Sequence, residues 1–191
     1  INGYEFDSVD TPIAAAAPAK KGKAKVQTAS NLEVEETNSY VKVTAKRMTV
    51  TVGKLTGMID YLDVDGEPML KFRESMTPEF WRAPTDNDFG AGLQKKFKVW
   101  KNPVMNLKGV AVEKDKKANT INICATYEMP EVKGELEIDY LIMPNTGAMK
   151  VSQEFDASDD AKVSDLFRFG MLMQLPYDMD KSQYYGRGPI E

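Results

Sequence analysis

A chain of 191 residues, 42% hydrophobic and 28% charged, has the make-up of an ordinary globular domain, long enough to bury roughly 70% of its unfolded surface. Its net charge of −4 supplies no basic face for nucleic acid, and no apolar run approaches the ~20 residues that span a bilayer, so neither is an expected partner. Histidine is absent and Cys124 is the single cysteine, which excludes a Ser-His-Asp triad, a Cys-His pair, an imidazole-based zinc site and an internal disulfide.

Residues 1–30 differ from the rest. Ile1 to Asp7 has no basic leader ahead of an apolar core, so it does not resemble a secretory signal, and a chain opening on Ile1 reads as part of something longer. Ala14 to Ala17, Pro18 and the lysines Lys20, Lys21, Lys23 and Lys25 make a basic, core-poor stretch without aromatic interleaving. That composition predicts a linker or mobile arm.

From Leu32 the period becomes two. Leu32 and Val34 alternate with glutamates, Val41, Val43 and Ala45 with Lys42, Thr44 and Lys46, and Met48, Val50 and Val52 with threonines. The pattern predicts half-buried strands. A fourth strand is expected over Leu55–Leu62, with a tight turn at Asp65-Gly66, so that 32–72 forms an antiparallel meander. Asp63, Asp65 and Glu74 have the spacing of calcium-loop positions 1, 3 and 12, but Pro68 stands where that loop needs glycine, so no metal is expected there.

Phe80-Trp81-Arg82-Ala83-Pro84-Thr85-Asp86-Asn87-Asp88 is the densest run in the chain. Two aromatics and an arginine lead into a proline-fixed turn, then into short polar side chains that fold back on their own backbone. Rings to stack on, beside carboxylates and amides that hold hydroxyls, are the mixture of sugar-binding surfaces. The same residues also suit a structural corner. Asp86–Gly92, with two glycines and no period, reads as a loop, and Trp81 as the buried anchor beneath it. Leu93, Phe97 and Trp100 then fall at helical spacing, ended by Asn102-Pro103, which predicts one short helix with Trp100 in the core.

Alternation resumes at Val110 and Val112, is cleanest over Ile121–Tyr127 and Leu136–Ile142, and continues through Met149, Val151 and Phe155 and through Phe167–Met173. Asp156–Asp165 reads as a solvated acidic loop. About ten strands with turns at short intervals predict an all-β chain, a large antiparallel β-sandwich.

Three stretches carry a family resemblance. The run at Phe80–Asp88, the strand Leu166-Phe167-Arg168-Phe169-Gly170-Met171 with Leu175-Pro176, and the turn Tyr185-Gly186-Arg187-Gly188-Pro189-Ile190-Glu191 resemble, in order, three motifs of the small-chain (C-terminal) domain of family 2 β-galactosidases. The resemblance implies a galactose mutarotase-like super-sandwich, with residues 31–191 as its N-terminal part and the domain truncated at Glu191. Without histidine, mutarotase chemistry itself is not expected.

Family 2 enzymes are retaining glycosidases, which need two carboxyls about 5 Å apart. By the resemblance these are glutamates on a (β/α)₈ barrel. No barrel pattern occurs here, and Glu33, Glu35, Glu135 and Glu137 lie on wet strand faces, so no catalytic residue is expected in this chain. The resemblance implies an accessory role at the active-site rim of a β-galactoside hydrolase. Arg82, Asp86, Asn87 and Asp88, with Arg187 and Glu191, are its rim or scaffold candidates. It further implies a carbohydrate substrate, other domains of the same chain as partners, a homo-oligomeric parent, no cofactor in this chain, and Mg2+ for the parent. The alternative reading is a non-catalytic carbohydrate-binding or interaction module, which lacks a preceding βα-repeating segment with two strand-end glutamates.

Overall fold

The computed structural model describes residues 32–158, 161–162 and 165–181. The expected arm at 1–30 and the turn holding Arg187 and Glu191 lie outside the described residues.

Five strands form the first sheet in sequence order: β1 (Glu33–Glu36), β2 (Tyr40–Thr44), β3 (Met48–Gly53), β4 (Ile59–Val64) and β5 (Glu67–Pro68). This is the expected meander. Its register sets Val41 opposite Val52 and Val43 opposite Val50, so one face is a block of buried valines. β7 (Asn106–Asp115), β8 (Thr120–Met129), β9 (Gly134–Met143) and β10 (Ala148–Ala157) form a second antiparallel sheet in the order β10-β9-β8-β7. Across β8 and β9, Ile121 faces Ile142, Ile123 faces Tyr140, Ala125 faces Ile138 and Tyr127 faces Leu136, all of them buried. The apolar faces of the two sheets pack into one core, giving the β-sandwich that the alternation predicts.

Two phenols fasten the layers. Tyr127 Oη donates to the Thr56 carbonyl at 2.7 Å and Tyr140 Oη to the Gly57 carbonyl at 3.1 Å. Both accepting carbonyls belong to the turn between β3 and β4, where Gly57 sits at φ +70. A Cβ there would collide with the Tyr127 hydroxyl. This turn corrects the expected strand start at Leu55: Gly57 N–H bonds back to Gly53, the strand opens at Ile59, and Leu55 is 82% exposed.

The Asp65-Gly66 turn forms as expected, with both residues at positive φ. Asp63 accepts the Gly66 N–H and Asp65 pairs with Arg47, so two of the three carboxylates of the rejected calcium spacing hold the hairpin.

Along the chain, β6 (Thr77–Glu79), α1 (Asp86–Gly90), α2 (Leu93–Lys96) and a 3-10 turn at Lys98–Trp100 come between the strands of the first sheet and those of the second. The expected single helix over 93–100 is two pieces, because the chain leaves α-geometry at Phe97. Phe97 and Trp100 are nevertheless buried as its anchors. The expected strand across Phe167–Met173 shortens to β11 (Gly170–Leu172), paired antiparallel to β6 with Gly170 opposite Glu79 and Leu172 opposite Thr77. Phe167 and Phe169 turn instead into an aromatic cluster. Phe167 stacks on Phe97 at 5.1 Å and tilts against Trp81 at 4.8 Å, while Phe169 lies 5.9 Å from Phe80.

Candidate functional site

The β6–β11 ladder brings two of the sequence motifs side by side. Phe80 leaves β6 buried, with its ring 5.6 Å from Trp100. Trp81, the next residue, is only half-buried, packed against Phe167 at the margin of the core. The expectation that Trp81 is the buried anchor is therefore corrected. Successive residues of an extended segment face opposite sides, and the inward side falls to Phe80 and Trp100.

Pro84 and Thr85 carry the chain into α1. The expected loop over Asp86–Gly92 is a short helix in its first part, and the reason is local. Thr85 stands as N-cap in extended geometry (φ −85, ψ 172) and accepts from the Asp88 N–H, while Asp88 accepts the Thr85 N–H at 2.8 Å. This is a capping box, and its Thr-x-x-Asp spacing was legible in the sequence.

Asp88 does more than cap. Its carboxylate receives Arg82 Nη1 at 2.6 Å and Nη2 at 2.9 Å, a bidentate pair, and also the Thr85 hydroxyl at 3.0 Å. The Arg82 guanidinium, then the Thr85 backbone N–H, holds the Asp88 carboxyl at about 2, and Asp88 raises the guanidinium in return. Arg82 lies in turn 4.3 Å over the Phe167 ring. Asp88 is the one buried charged residue among those described. A carboxylate with four donors on it is spoken for, so Asp88 neither moves protons nor holds a sugar hydroxyl in this geometry. Arg82 and Asp88 form a latch that joins the two motifs.

The remaining candidates among the described residues are at the surface beside that latch. Asp86 and Asn87 are exposed on the first turn of α1, and Phe89 is 54% exposed. Residues three apart share a helix face, which sets Asp86 beside Phe89. Phe89 was missed by sequence reasoning because no period marks so short a helix. The Phe167 platform was missed because the residues it supports are far away in sequence.

Elsewhere, the outer face of the second sheet is acidic. The register places Glu137 opposite Glu154 and Glu135 opposite Asp156, and these four exposed carboxylates line a depression of about 240 Å³ that offers no ring for a sugar to stack on. Cys124 Sγ and the Glu137 and Asp139 carboxylates lie within 4.8 Å of one another, the one grouping of metal-ligating type among the described residues. It does not fit Mg2+, which takes oxygen donors in octahedral geometry. Burial, then the facing Asp139 and Glu137 carboxylates, pushes the Cys124 thiol up to about 11, so it stays protonated at neutral pH.

Comparison with known proteins bears on the same residues. The family described as "Beta galactosidase small chain" matches residues 44–191. A β-galactosidase of Priestia megaterium is 25% identical over 191 residues, covering 99% of this chain and 18% of the relative. One from Lactobacillus delbrueckii subsp. bulgaricus is 30% identical over 145 residues, 74% of this chain and 14% of the relative. One from Halalkalibacterium halodurans is 25% identical over 162 residues, 84% and 16% respectively. The chain thus spans less than a fifth of the length of these relatives.

Proposed function

The chain belongs to the β-galactosidase small-chain family, and from that premise we propose that it is the accessory sandwich of a retaining β-galactosidase, shaping the rim of the sugar pocket. The observation that carries this reading is the division of labour at α1. Arg82, Thr85 and Asp88 are consumed in fixing the corner, which leaves Asp86, Asn87 and Phe89 presented to solvent on a rigid turn. A carboxylate, an amide and a ring are the groups a rim needs to orient a galactoside: acceptors and donors for hydroxyls, and a flat face for the apolar side of the sugar.

The catalytic pair belongs, on this reading, to a barrel domain outside the chain, and so does Mg2+. The glutamates of the first and second sheets are exposed, and the cross-strand pairs among them lack the enclosed setting that tunes one carboxyl as nucleophile and the other as acid/base for double displacement. The parent's other domains are the partners of this surface, and a homo-oligomeric parent is part of the same proposal.

The test has two arms. The 191-residue chain alone is expected to give no turnover of a chromogenic β-galactoside; activity that tracks the protein peak through a column would overturn the reading. In the parent enzyme, the double change Asn87→Ala and Phe89→Ala is expected to lower kcat/KM roughly five- to thirtyfold, through about 1–2 kcal/mol of lost contacts, with melting unchanged. Unaltered kinetics would show that α1 does not meet the substrate.

A further inference from the structure

A second concavity, sharing no residue with the signature corner, opens between the β4–β5 hairpin and the turn at Pro176–Met179. It has a volume of about 600 Å³, within the range of small-molecule sites. Its walls carry two rings, Tyr61 and Phe72, at 42% and 82% exposure. Charged groups alternate with them: Asp60, Glu67 and Asp178 against Lys71 and Arg73.

The two walls are held together by contacts between residues about a hundred positions apart. Lys71 N–H donates to the Gln174 carbonyl at 2.8 Å, and Gln174 Nε2 donates to Glu74 at 3.0 Å. Ser75 Oγ orients the Asp60 carboxylate at 2.7 Å. Arg73 adopts φ +67, a left-handed conformation that costs an L-residue energy and is worth reading as a sign of use. Its guanidinium is 5.1 Å from the Phe72 ring centroid.

We propose that this groove binds a neutral saccharide, with a sugar ring against Phe72 or Tyr61 and its hydroxyls shared between the carboxylates and Arg73. Near-balance of three carboxylates and two cations argues against a strongly charged ligand. The interleaving of donors and acceptors matches hydroxyls, which do both. The core of a protein–protein contact is depleted in charged residues, so a groove this rich in them is a poor seat for a protein partner. This site is independent of the rim reading of α1.

The experiment titrates the 191-residue chain with β-1,4-galactotetraose by calorimetry, alongside three variants. Phe72→Ala is expected to weaken binding roughly three- to tenfold, the range of one lost aromatic contact. Its melting should not move, since the ring is exposed. Asp178→Asn, which keeps the shape, is expected to weaken binding in the same direction. Lys117→Ala, on the exposed turn between β7 and β8 and outside the groove's lining, is expected to leave it unchanged. No binding by the wild-type chain, or weakening by Lys117→Ala in place of Phe72→Ala, overturns the proposal. So does self-association that Phe72→Ala abolishes and the saccharide does not touch, because the groove would then seat a second copy of the chain.

Discussion

Asp88 shows how much a single side chain decides. Its carboxyl titrates at about 2 in the fold, below the ordinary aspartate value, because Arg82 and the Thr85 N–H favour the charged form. A depressed folded pKa means the contribution is present above the unfolded value, near 4, and is lost as pH falls through about 2. Asp88→Asn is therefore expected to lower Tm at pH 7, with the gap to wild type closing between about pH 4 and pH 2. A gap constant over that window would mean that the charge is not what holds the corner. The two tryptophans divide similarly. Trp100 is 1% exposed, touches Phe80, and meets Phe155 edge-on at 5.4 Å, so Trp100→Ala should cost about 3–5 kcal/mol. Trp81→Ala, at a half-buried position, should cost about 1–2 kcal/mol, measurable by urea denaturation. Equal costs would contradict the orientation described for the run.

At the scale of elements, two local devices do the positioning. The first is the capping box that starts α1. Thr85→Ala removes its side-chain acceptor and should cost about 0.5–2 kcal/mol, whereas Thr85→Ser should be nearly neutral. The second is the β3–β4 turn, which presents two carbonyls to the opposite sheet. Gly57→Ala combines a left-handed φ with a collision against Tyr127, and should cost at least about 1–2 kcal/mol. Tyr140→Phe leaves the Gly57 carbonyl buried without its donor, for roughly 1–3 kcal/mol. If both substitutions are silent in thermal melts, the turn does not couple the layers.

For the molecule as a whole, β8 and β9 form the most protected unit. They are the two central strands of the second sheet, and each inner-face residue from Ile121 to Tyr127 and from Leu136 to Ile142 is buried. Amide exchange should be slowest there and faster in β1, whose residues are mostly exposed at the edge of the first sheet. Slowest exchange in β1 or β2 would place the stable core in the other layer. The sandwich also explains why the site lies where it does. The β6–β11 ladder brings Phe80, Trp81 and Phe167 together, their rings join the core that both sheets share, and Arg82, lying on Phe167, ties the start of α1 to it.

Period-two alternation determined the sheets by itself. Burying every second side chain of β2, β3, β8 and β9 leaves no other way to shelter them, and the Asp65-Gly66 turn is written in its residue types. The Thr85-x-x-Asp88 cap was equally local. What tertiary structure alone decided are contacts between residues distant in sequence. Whether Phe80 or Trp81 faces inward depends on where Trp100 and Phe167 stand. The extent of β11 depends on how Phe167 and Phe169 are used. The burial of Asp88 depends on Arg82 finding a ring 85 positions away to lie on. A sequence records which groups are able to pair, but a pairing across that distance is settled by the shape of the core between them.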